Sequence, residues 1–192
     1  MKKFLSLLLV FAIVLSFSLC AYADESEAVQ ESSTEQTESQ FETLLLKKGS
    51  MILKEYTGCG TIKPDDRNKT FLNINFQTAV LTDIETGNKY KALRMIMDCV
   101  NNDYVGVLDS DEIDSAIAAL EYIKTHYSEF DDYTEIQYTA KSGMEIGAFT
   151  SSNTIIFFIR PDGRNVGMIT ISDDVIVQFI EMFKTVKSTF EE

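Results

Sequence analysis

The sequence predicts an α+β fold made of two repeats, each of about four antiparallel strands followed by one amphipathic helix. Three observations predict it. Ile113, Ala116, Ile117, Leu120 and Ile123 recur at helical spacing, and a shift of 63 residues maps them onto Ile176, Phe179, Ile180, Phe183 and Val186. Ahead of each helix the apolar residues alternate with period two, the mark of strands. Turn residues separate those strands: Glu85-Thr86-Gly87-Asn88, Ser142-Gly143 and Pro161-Asp162-Gly163-Arg164.

The chain opens with a different kind of segment. Lys2 and Lys3 precede a nearly pure apolar run from Phe4 to Leu19, and Ala21-Tyr22-Ala23 follows with small residues where a signal peptidase reads. Residues 1–23 are therefore expected to be a signal peptide, cleaved near Ala23 with Ala21 and Ala23 as the recognised positions. The apolar run falls short of the roughly 20 residues that a membrane span needs, so no transmembrane span is expected in the mature chain. Acylation of Cys20 is the alternative, but it calls for a small residue just before the cysteine, and Leu19 is large. Either way the chain is exported: secreted, periplasmic or held at the cell surface.

Residues 24–40 carry Asp24, Glu25, Glu27, Glu31, Glu35 and Glu38 among Ser, Thr and Gln. Such a stretch buries too little apolar area to offset chain entropy. It is expected to be a disordered acidic leader. A single α+β domain follows over 41–192, its repeats spanning about 44–127 and 132–190. The whole chain has a net charge of -13, which disfavours a binder of phosphate backbones.

Within the domain, Met51 to Tyr56 and Thr70 to Thr82 are predicted strands. On the second, Leu72, Ile74, Phe76 and Val80 share one face, and Asn73, Asn75 and Gln77 share the other. Tyr90 to Met97 and Tyr104 to Leu108 complete the first set. Tyr133 to Ala140, Glu145 to Thr150, Asn153 to Arg160 and Val166 to Ile171 form the second. Ile155 to Ile159 is apolar on both faces and is expected to be the most buried strand. Asp109-Ser110-Asp111-Glu112 and Ser172-Asp173-Asp174 supply oxygens and carboxylates to the starts of the two helices. Each helix is expected to lie across the strands of its own repeat.

This order of elements resembles the PUR-alpha and Whirly group, in which repeated four-strand-plus-helix units form curved sheets packed on helices. The resemblance covers most of residues 50–190 and lies in element order and helix patterning. It implies the fold, and by analogy a sheet face that binds single-stranded nucleic acid through basic and aromatic residues. The acidic balance of this chain runs against that activity.

Candidate chemistry is sparse. Cys59 and Cys99 remain after the signal, an even number in an exported protein. With Cys59 after the first strand and Cys99 after the third, a disulfide would close a ~40-residue loop, worth around 4 kcal/mol; two reduced thiols are the alternative. His126 ends the first helix, where a cation complements the dipole. Asp109, Asp111 and Asp114 invite a calcium reading, yet the glycine and glutamate of a calcium-binding loop are missing and helix capping accounts for the first two. Asp98, Asn101, Asn102 and Asp103 form a similar acidic turn, and Asn68-Lys69-Thr70 is a glycosylation sequon. The outer face of the first helix, Ser115, Ala118, Ala119 and Tyr122, is small and dry enough to be a contact face.

These features point to an exported, non-catalytic binding or interaction module. It needs no cofactor and no metal, and its partner is a protein or an envelope component. A carboxylate-based extracytoplasmic hydrolase is the alternative, with two acids about 5 to 9 Å apart in one cleft. Single-stranded nucleic-acid binding, by analogy of fold, is a second alternative.

Overall fold

Neither helix lies on the sheet of its own repeat; the two are exchanged. In a computed structural model that describes residues 38–64, 71–100, 102–129, 131, 133–152, 154–162 and 168–191, the chain forms α1 (Gln40–Leu46) and then β1 (Ile52–Ile62), β2 (Phe71–Asp83), β3 (Lys89–Cys99) and β4 (Tyr104–Asp109). Helix α2 (Ile113–His126) and a 3-10 turn (Tyr127–Glu129) follow. The second set is β5 (Glu135–Thr139), β6 (Glu145–Ser151), β7 (Thr154–Arg160) and β8 (Ile169–Ile171), closed by α3 (Asp173–Glu191). The strands make two antiparallel meanders, β1-β2-β3-β4 and β5-β6-β7-β8. Two repeats of a four-stranded antiparallel sheet, each followed by a helix, are therefore present as the sequence predicts. The signal segment 1–23 with Ala21 and Ala23, most of the acidic leader, and the sequon at Asn68 lie outside the described residues. No helix among the described residues is long and apolar enough to cross a membrane.

The stripes related by the 63-residue shift are buried in both helices, from Ile113 and Leu120 to Ile176 and Phe183. Their partners are crossed. Phe179 and Phe183 of α3 meet Phe76 of β2 edge-on, with ring centroids 5.2 and 6.3 Å apart. Lys91 of β3 donates to the Phe190 carbonyl at 2.7 Å. Helix α2 instead packs on β5 and β6, and Tyr127 at its end meets Phe157 of β7 at 5.6 Å. The helices also run against each other, with Lys184–Glu121 at 2.8 Å and Lys187–Asp114 at 2.7 Å linking their exposed flanks. Exposed pairs of this kind contribute well under about 1 kcal/mol each. The apolar stripes decide the arrangement, and one core runs through both repeats. Helical spacing shows that a stripe must be covered. It carries no information on which sheet covers it, so the expectation of own-sheet packing fails at this point.

The first sheet buries both of its faces, at opposite ends. On β2, Ile74 and Phe76 turn toward α3, whereas Ala79 and Leu81 turn the other way. That second face, which includes Ala92 and Val107 of the neighbouring strands, is closed by Phe41 and Leu44 of α1. The ordered fold therefore begins ahead of residue 41, inside the stretch read as leader. Ser39 N-caps α1, its hydroxyl accepting from the Glu42 amide at 3.2 Å. Ser39-Gln40-Phe41-Glu42 followed by Leu44 is a capping-box pattern, and it was legible in the sequence. In the second sheet, Phe157, Phe158 and Ile159 are fully buried, as the run apolar on both faces implies. Gly147 is required there: a Cβ at that position would lie 2.5 Å from the Ile136 carbonyl oxygen and 2.7 Å from the Phe158 ring.

The exchange has a measurable consequence. Phe179→Ala should cost about 3–5 kcal/mol in a denaturant titration. In amide hydrogen exchange it should first release β1 and β2, the strands beneath α3. Earlier release of β6 and β7 would restore own-sheet packing.

Candidate functional site

The β4–α2 turn gathers three carboxylates, Asp109, Asp111 and Glu112, each offering an oxygen within 4.8 Å of the others. Asp109 and Glu112 are both 5% exposed. Sequence reasoning assigns this turn to capping α2, but Glu112 stands at the N-cap without a side-chain cap bond. Asp109 looks away from α2. Its Oδ1 accepts from the Ser39 hydroxyl and its Oδ2 from the Gln40 amide, both at 2.8 Å. It thus holds α1 from 69 to 70 residues away, an anion at that helix's positive end.

Glu112 reaches in the opposite direction, into the second repeat. Its Oε2 accepts from the Asp109 amide at 3.1 Å. Its Oε1 accepts from the Tyr138 hydroxyl at 3.2 Å and from the Lys141 amide at 2.8 Å. Burial, and then the charge of Glu112, push the Tyr138 hydroxyl well above the usual tyrosine range. The Lys141 ammonium meets Asp111 at 2.7 Å. Next to this cluster, Ser142 donates its hydroxyl to the Val107 carbonyl. The reason for the changed role is energetic. These donors are drawn out of water by packing, and a buried donor without an acceptor costs about 1–3 kcal/mol. Three carboxylates are a donor set suited to a hard cation. Here an ammonium, two hydroxyls and three backbone amides take up their oxygens.

Beside this cluster, α1 and the end of the β2–β3 hairpin enclose a groove of about 940 Å³, with Leu44, Leu46 and Tyr90 as its apolar lining. Lys47 and Asp83 form a 2.7 Å pair in the groove. The Asp83 carboxylate also accepts from the Glu85 amide at 3.0 Å and the Thr86 amide at 3.3 Å. The hydrogen bond from Lys47, helped by those amides, holds the Asp83 carboxyl below the ordinary aspartate range. The same bond raises the Lys47 ammonium. Lys141 lines the groove too, so the acidic turn adjoins it. Glu38 and Glu42 complete the charged lining. Burial, and then the nearby Asp109, raise the Glu42 carboxyl above its usual range.

A second surface lies on the same side of the first sheet as α1, beyond the helix. Thr61 donates to Asn75 at 2.7 Å, and Asn75 donates to Asp98 at 2.8 Å. Arg94 donates to Gln77 at 3.0 Å and stacks over the Tyr56 ring at 5.2 Å. The hollow along this row has a volume of about 430 Å³ and includes Asp103.

The other predicted positions are dispersed. Cys59 and Cys99 are free thiols. The first strand continues to Ile62, so Cys59 lies inside it, at a bulge between Gly58 and Gly60. Its level on β2 is Gln77/Phe76, which pairs with Arg94/Met95 on β3. Cys99 sits roughly 13 Å further along at ~3.3 Å per residue, beyond the ~7 Å Cα separation of a disulfide. The structure does not bring the two together. His126 stacks on Tyr122, with ring centroids 4.1 Å apart. Ser115, Ala118 and Tyr122 are exposed and Ala119 is half-buried. Asp114, offered with Asp109 and Asp111 for calcium, is instead paired to Lys187. Asp98 and Asp103 flank the hollow on the open face, Asn102 is exposed, and Asn101 lies outside the described residues. Sequence reasoning missed Glu112 as a link between repeats, as well as Ser39, Glu42, Asp83 and Tyr90; only Ser39 and Glu42 had a local signal. No family model, curated protein or solved structure matches the chain.

Glu112→Gln puts an amide NH₂ among donors and should destabilise the chain by about 1–3 kcal/mol in chemical denaturation. Tyr138→Phe, which removes one donor and leaves the acceptor engaged, should cost less. The pH response of the groove follows from Asp83. Because its folded pKa is depressed, its contribution is complete above the ordinary aspartate range and is lost as pH falls through the folded value. Asp83→Asn should therefore flatten the acid limb of a plot of Tm against pH. An unchanged acid limb would remove Asp83 from the account.

Proposed function

We propose that this chain is an exported, non-catalytic binding module that takes a protein or envelope component into the groove beside α1. The observation that carries the reading is the groove itself. At about 940 Å³, it lies within the roughly 300–1,000 Å³ range of ligand sites. It combines apolar walls with a few charged groups, the usual composition of such sites. Export rests on the N-terminal sequence, residues 1–23. The non-catalytic part rests on how the clustered acids are used. Asp109 and Glu112 are buried, accept hydrogen bonds from Ser39, Gln40, Tyr138 and Lys141, and do not line the groove.

Asp109 and Glu112 are the pair the hydrolase reading would use, but their oxygens lie within 4.8 Å of each other, closer than the about 5 to 9 Å it calls for, and both side chains are buried. The architectural likeness to PUR-alpha and Whirly proteins favours nucleic acid at the open face, where Tyr56 and Arg94 stack. Asp98 and Asp103 on that face oppose a phosphate backbone.

Leu46→Lys and Asn75→Ala separate the two surfaces. Leu46 is 78% exposed, so its replacement leaves the core intact. Material retained from the producing cell's envelope by the full chain should be lost with Leu46→Lys and kept with Asn75→Ala. The reverse result transfers binding to the open sheet face.

A further inference from the structure

We infer that the groove beside α1 takes a basic peptide segment of the partner, with a lysine or arginine side chain lying along Leu46 and Tyr90 and its cation at Glu42 and Glu38; the inference rests on the groove being the binding site. The charges in the groove are unevenly compensated. Its two cations are already engaged, Lys47 with Asp83 and Lys141 with Asp111, each at 2.7 Å. Glu38 and Glu42 have no ion-pair partner among the described residues. An anionic ligand would meet two unpaired carboxylates and a chain of net charge -13. A cationic one is attracted at short range and steered at long range. Burial, and then the nearby Asp109, raise the Glu42 carboxyl, and a bound cation would offset both.

The apolar lining defines the rest of the ligand. Leu44 is the buried floor, Leu46 the exposed wall, and Tyr90 a ring at the hairpin end. Methylene stems of lysine and arginine lie along such surfaces while the charged head stays polar, and a tyrosine face attracts the cation as well. A lone amine would leave most of the groove's volume empty, whereas several residues of extended chain occupy it.

The test is a titration of the ¹⁵N-labelled full chain at low salt with three pentapeptides alternating leucine with lysine, glutamine or glutamate, and with spermidine. The lysine peptide should shift the amides of residues 41–47 and 84–90, and the glutamate peptide should not. Glu38→Gln with Glu42→Gln should weaken the lysine peptide by about 5–10-fold, consistent with two partly exposed charge contacts, and added salt should weaken it further. An unchanged amide spectrum of the free double variant excludes misfolding as the cause. Equal shifts from the glutamine and lysine peptides overturn the basic preference and leave the groove as the site. Spermidine acting as strongly as the lysine peptide overturns the peptide assignment in favour of a free polyamine. Silence toward every probe, with envelope retention still lost in Leu46→Lys, overturns this inference alone. Silence with retention unaffected by Leu46→Lys overturns the groove as well.

Discussion

Two of the three carboxylates of the β4–α2 turn, Asp109 and Glu112, hold the tertiary structure in register. Glu112 accepts from Tyr138 and Lys141 of the second repeat and from the Asp109 amide of the first. Asp109 in turn accepts from Ser39 and Gln40. Three parts of the chain distant in sequence meet at one buried polar cluster. Hydrogen bonds to charged groups contribute about 1.5–3 kcal/mol each, and leaving such donors buried without acceptors costs more. The cluster is therefore intolerant of rearrangement in a way that an apolar contact is not.

The exchanged helices follow from the same geometry. The chain leaves the first sheet at Asp109, turns through residues 110–112, and enters α2 beside the hairpin at 140–143 that Glu112 has drawn in. From there α2 faces β5 and β6, and α3 is left to cover Phe76. Each sheet then depends on the other repeat for its apolar cover, so one core serves both. The repeats resemble each other in elements, but neither buries its own sheet.

The groove is a by-product of asymmetry between the repeats. The first sheet has long strands whose outer ends project past α3, and α1 covers the opposite face there. A helix of seven residues covers only part of that face. What it leaves uncovered toward the hairpin is the groove, and what it leaves beyond its other flank is the open row from Thr61 to Asp98. Polar side chains in both places bond along the sheet, and in the groove Leu44, Leu46 and Tyr90 stand beside Glu38 and Glu42, which have no ion-pair partner among the described residues.

Periodicity determined α2 and α3 with their buried stripes, and β2 to β8 apart from their ends, but it stopped β1 at Tyr56, short of Ile62, and did not mark α1. These depend on neighbours three or four residues apart in a helix and two apart in a strand. Ser39 and Glu42 were legible as a capping pattern as well. Which sheet each helix covers, and that Glu112 joins the repeats while Asp109 caps α1, were decided only by the tertiary structure. The reason is physical: a carboxylate in a turn satisfies whichever buried donor packing brings to it, and an apolar stripe accepts any apolar surface. Composition alone distinguishes neither the partner 70 residues away from the one next door, nor one sheet from the other.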